Sequence, residues 1–143
     1  MGIKKQNSKP NCISERHSNN CPDKVSISLK LLTTNKNYNF NYFSKNKDSK
    51  KEAKAAFYDK IELICNNTWV NLANEGKTNG LEYIGADQLK FSPKDYKLTQ
   101  DQKVIVLRFN NQNYRIIGVK LSSCATLDII GFDFDYSAYE HGS

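Results

Sequence analysis

The sequence predicts an α+β chain: helices packed on a C-terminal antiparallel β-meander, preceded by an N-terminal hairpin and a disordered basic arm. Three observations carry that expectation. Apolar residues recur at helical spacing between positions 47 and 65, alternating apolar stretches fill positions 103–135, and asparagine-, serine- and glycine-rich turns separate them. At 143 residues the length favours one core. Residues 1–23 are read as a flexible basic arm and residues 24–143 as a single α+β domain.

The arm is polar, rich in lysine and asparagine, and carries Pro10 and Pro22 without a hydrophobic period. Val25 to Leu32 and Tyr38 to Phe43 each alternate with period two around turn residues 33–37, which predicts a hairpin or two short strands. Ala53, Ala56, Phe57, Ile61 and Ile64 then share one helical face, with Asp48 or Ser49 as the N-cap and Glu52 behind. Thr68 caps a second, short helix that ends before Gly76, and Trp69 is its core anchor. Residues 81–84 and 88–91 read as one strand kinked at Gly85, and residues 93–102 as a polar connector. Three strands follow, over 103–110, 113–121 and 126–135. The Asn-Asn-Gln-Asn turn at 110–113 suits positive φ.

The net charge is +6, and residues 1–60 hold thirteen basic residues against five acidic ones, leaving the remainder slightly acidic. Such asymmetry points to a polyanion or an acidic protein; a solvated lysine face in an AT-rich gene explains it equally. No apolar run reaches the ~20 residues that span a bilayer, and no secretion leader is read at the N-terminus. Four cysteines are too few for a disulfide scaffold, so free thiols in a cytoplasmic setting are expected. Cys12, His17 and Cys21 form a C-x4-H-x3-C array that lacks a fourth zinc ligand. No cofactor motif is present.

Candidate chemistry concentrates between Leu107 and His141. Arginine occurs only at positions 16, 108 and 115 in a lysine-rich chain. Its planar fork grips phosphate in a way that lysine cannot copy. Alternation places Val104, Val106 and Arg108 on one face of their strand, and Arg115, Ile117 and Val119 on one face of the next. Tyr114, Ile116, Gly118 and Lys120 take the opposite face. One sheet face is expected to pack on the helices and the other to stand open to a ligand. The bland alternative is a pair of arginines bridging to Asp128, Asp133 or Asp135. Asp133 and Asp135 themselves read as a solvated acidic edge rather than a metal site. His141 follows Tyr139 and Glu140, and histidine is the side chain type best placed for acid–base work.

The strand segments Val104-Ile-Val-Leu-Arg-Phe and Asn113-Tyr-Arg-Ile-Ile-Gly-Val, with the closing Tyr139-Glu-His141, resemble the RelE/YoeB/HigB-like bacterial toxin superfamily across residues 38–143. The resemblance implies a cytoplasmic toxin-like endoribonuclease of a bacterial or mobile-element system that cleaves messenger RNA, often on the ribosome, without a metal. It implies catalytic roles for His141, Arg108, Arg115, Glu140 and Tyr139. Lys120, Tyr114, Lys50, Lys51 and Lys54 become RNA contacts, and the partners are RNA and an antitoxin protein, with no membrane. The acidic residues near the sheet depart from that pattern. They suit the alternative, a non-catalytic binding module or an immunity or antitoxin-type protein.

Overall fold

The computed structural model describes residues 21–45, 47–74, 80–110, 113–121 and 123–140. Among the described residues the first element is a short strand, β1 (Ser26–Ser28), followed by helices α1 (Tyr42–Lys45), α2 (Lys47–Cys65) and α3 (Trp69–Ala73). Strands β2 (Leu81–Gly85), β3 (Lys103–Phe109), β4 (Tyr114–Val119) and β5 (Thr126–Asp133) come next, in one sheet of order β1-β5-β4-β3-β2. The β2-to-β5 run is the antiparallel meander, and β1 adds parallel to β5.

The helices form where apolar spacing demands them. Ala53, Phe57 and Ile64 of α2 are buried, and α3 inserts Trp69 and Leu72, both fully buried. Thr68 caps α3, its hydroxyl accepting the N–H of Asn71 at 3.2 Å. Asp48 and Ser49 lie inside α2 rather than at its cap. This layer covers one sheet face through Ile105, Leu107, Phe109, Ile116, Leu127 and Ile129. Phe57 anchors it against Phe132 and Phe134, with ring centroids 4.9 and 6.2 Å away. Each such aromatic pair contributes about 1 kcal/mol beyond area burial.

The second sheet face is not open, contrary to the expectation. Val104, Val106, Ile117, Val119 and Ile130 are buried there under Leu31, Tyr38, Phe91 and Tyr139, with Tyr96 and Leu98 packed alongside. The 93–102 stretch is therefore part cover, not merely a polar connector. Near-continuous apolar strands such as Val104-Ile-Val-Leu are buried on both faces.

The expected N-terminal hairpin is corrected as well. The Asn39 side-chain oxygen accepts the N–H of Asn41 at 2.8 Å, and its amide donates to the Thr33 carbonyl at 3.0 Å. That turn breaks the alternation from Tyr38 and leads the chain into α1. Residues 26–38 instead follow the β5 edge. Beyond β1, the Thr33 N–H donates to the Ile130 carbonyl, and the Phe132 N–H to the Tyr38 carbonyl, both at 2.9 Å. Likewise Gly85 leads into a 3-10 turn, Ala86–Gln88, so β2 does not resume at residues 88–91. Of the proposed arm only residues 21–23 are described, and Cys21 there is buried; Cys12 and His17 lie outside the described residues.

One irregularity decides which side chains share a face. Ile117 pairs with Gly131 while Gly118 pairs with Ile129, so Ile130 is an extra residue in β5. This β-bulge reverses the alternation of β5. Before it Leu127 and Ile129 face the helices; after it Phe132 and Phe134 do. Asp133 is thereby turned to the second face, directly across from Arg115.

Candidate functional site

Arg108 and Arg115 are register partners on β3 and β4. Alternation puts both on the second sheet face, at the end nearest the Asn110 turn, where Asn110 takes φ 53°. Arg115 is 4% exposed. Its Nε donates to the Tyr139 hydroxyl at 3.0 Å, and its Nη1 to the Asn113 carbonyl at 3.4 Å. The Tyr136 ring lies over its guanidinium, 4.6 Å from ring centre to the central carbon.

Tyr139 passes the interaction on, its hydroxyl donating to Glu82 Oε2 at 3.2 Å. The other oxygen of Glu82 is 3.9 Å from Arg108 Nη2. Arg108 Nε is buried and has no hydrogen-bond partner. Glu82 thus stands between two guanidinium groups, with the phenol as a bridge to one of them. Burial raises the pKa of Tyr139 to about 12; Glu82 adds to the rise and Arg115 works against it. At neutral pH the hydroxyl is a fixed donor, not a base.

The closing segment that carries Tyr139 is tied down rather than frayed. Asp133, fully buried, accepts the N–H groups of Asp135 and Ser137 on Oδ1 and of Ala138 on Oδ2. The Lys90 N–H donates to the Ala138 carbonyl at 2.8 Å, and the Tyr38 hydroxyl to the Ser137 carbonyl at 3.2 Å. Asp133 is therefore a buried backbone acceptor, and the expected solvated acidic edge is reduced to Asp135. Asp128, also fully buried, accepts the Leu121 N–H. Among the described residues no cluster of three or more His, Cys, Asp and Glu side chains is arranged to hold a metal ion.

Beside the arginine end lies a hollow of about 280 Å³, lined by Glu82, Ile84, Gln88, Arg115, Tyr136, Tyr139 and Glu140. A second, of about 460 Å³, is lined by Asn113, Tyr114, Arg115, Phe134, Asp135 and Tyr136. A third, of about 390 Å³, lies at the opposite end of β3 and β4, between Tyr96, Gln102, Lys103 and Lys120.

Of the residues singled out in the sequence, Arg108, Arg115, Tyr139 and Glu140 come together. Glu140 is an exposed rim residue, 3.7 Å from Lys90. Lys120 does not join them: it is buried on the helix side, its ammonium 4.5 Å from the centre of the Trp69 ring. Tyr114 packs on Phe109 and Phe134 and reaches only the second hollow; burial, then Glu52 and Tyr42, raise its pKa. Lys51 and Lys54 are exposed on α2, within the helical layer. His141 and the side chain of Lys50 lie outside the described residues. Sequence reasoning missed Glu82 and Tyr136. Glu82 joins the arginines only through the β2–β3 register, and Tyr136 carries no local signal.

Comparison with protein-family models, with curated proteins and with solved structures found no match. The functional reading rests on the residues themselves. Among the described residues, no helix is long and apolar enough to cross a membrane.

Proposed function

We propose that this chain is a toxin-like endoribonuclease that cuts RNA without a metal, gripping the scissile phosphate at the Arg108–Arg115 end of the sheet. One observation carries the reading: the two strand arginines are direct cross-strand neighbours on one face, beside a hollow of about 280 Å³ lined by Arg115 and Tyr139. A guanidinium pair offers paired donors to phosphate oxygens. In the proposed step the ribose 2′-hydroxyl loses its proton to a base and its oxygen bonds to the adjacent phosphorus. The bond from phosphorus to the 5′-oxygen breaks, and an acid protonates that oxygen. The products are a 2′,3′-cyclic phosphate and a 5′-hydroxyl. Tyr139, protonated at neutral pH, orients rather than deprotonates, so Glu140 or His141 takes the acid or base role. The implied RelE/YoeB/HigB-like kinship and a cytoplasmic setting belong to the same proposal.

A second reading has its own support. Arg115 is buried and bonded internally, and Glu82 and Asp133 offset the two positive charges. Those features suit a module that docks a protein partner and uses the arginines as a brace. One experiment separates the two: labelled single-stranded RNA incubated with the protein in EDTA. The nuclease reading expects fragments ending in cyclic phosphate, and about a hundredfold slower cutting by a folded Arg108→Gln variant. RNA left intact by the folded wild-type chain supports docking instead.

A further inference from the structure

Tyr136 is held in a conformation that its side chain disfavours. Its φ is 66°, in the left-handed region that costs a non-glycine residue energy unless its surroundings enforce it. The enforcement is visible. The Asp133 carboxylate collects the N–H groups of residues 135, 137 and 138, gripping the chain on both sides of Tyr136. The Ser137 hydroxyl ties down Asp135. A buried acid and four hydrogen bonds fix a turn whose central side chain is 53% exposed. Burying an apolar ring does not explain that outlay, because the ring stays half in water.

What the turn achieves is placement. One side of the ring covers the Arg115 guanidinium, and the residue borders both hollows that Arg115 lines. An exposed aromatic ring at a cation offers a planar group a stacking surface within reach of an anion-binding donor. A nucleobase joined to its own phosphate matches that pair of features.

We propose that Tyr136 is a base-stacking platform that selects a nucleotide beside the phosphate held at the Arg108–Arg115 end; this rests on the phosphate reading above. The test measures binding of two fluorescent probes to the full chain. One is a short single-stranded RNA with 2′-O-methyl sugars, which cannot be cut. The other has the same backbone without bases. Tyr136→Ala is expected to weaken binding of the base-bearing probe tenfold or more, to leave the abasic probe unchanged, and Tyr136→Phe to bind both like wild type. Equal affinities of wild type and Tyr136→Ala for the base-bearing probe overturn the platform, as does equal weakening for both probes. Tyr136→Phe guards against misfolding, since a loss there too, with an altered thermal melt, marks a structural role and overturns the platform. If wild type binds neither probe, the phosphate reading fails first and takes the platform with it.

Discussion

Arg108 and Arg115 face each other across β3 and β4 with Glu82 reaching toward both, directly to one and through the Tyr139 hydroxyl to the other. Like charges in direct register destabilise a sheet, so the acid is expected to offset them. Glu82→Gln should cost about 1 kcal/mol at low salt, where such pairs are least screened. Added inorganic phosphate should restore more stability to the variant than it adds to wild type. Thermal melts with and without phosphate measure both effects; a variant as stable as wild type and indifferent to phosphate contradicts this view.

Tyr139 supplies a pH prediction. Its pKa is raised to about 12 from the ordinary phenol value near 10. The folded state thus holds a proton that the unfolded chain gives up earlier. The associated stability is complete below pH 10 and drains away between about pH 10 and 12. Tyr139→Phe should flatten the decline in that window while costing about 1 kcal/mol at neutral pH through the lost hydroxyl bridge. Denaturant unfolding across the alkaline range is the check, and an unchanged slope in the variant speaks against a buried phenol.

Asp133, itself fully buried, holds three backbone N–H groups of the closing turn. Asp133→Ala strands them and should destabilise by about 3 kcal/mol or more. A loss below 1 kcal/mol in urea unfolding means that the turn does not depend on this carboxylate.

Gly131 has no room for a side chain. A Cβ there would lie 2.4 Å from the Phe91 ring. Gly131→Ala should cost about 1–3 kcal/mol through overpacking, and Phe91→Leu should recover part of it in the double variant. Strict additivity of the two losses would separate the sites and refute the contact.

These particulars show what the sequence revealed and what it concealed. Helix α2 was legible because Ala53, Phe57 and Ile64 keep a helical period, and the meander because its apolar strands are cut by Asn110 and by the Ser123 turn. The hairpin expectation fails because Tyr38 to Phe43 alternates like a strand, while the Asn39 side chain bonds to the backbone and folds it into a turn. Alternation gave each arginine its face within its own strand; that the two are neighbours depends on the β3–β4 register. Asp133 was not legible, since the Ile130 bulge sets its face, and neither was Glu82, which depends on the β2–β3 register that pairs it with Val106. The covered second face was visible only as unbroken apolar runs within the strands.

The most direct test of the central claim, that this end of the sheet grips RNA phosphate, is an NMR titration of the arginine side chains. The chain has three arginines, at positions 16, 108 and 115, so a protein labelled in arginine Nε gives three signals to follow. With the uncuttable 2′-O-methyl RNA, the Arg108 and Arg115 signals should move together, saturate, and return as salt is raised. Binding that leaves both signals in place, or an RNA that shifts none of the three, contradicts the account.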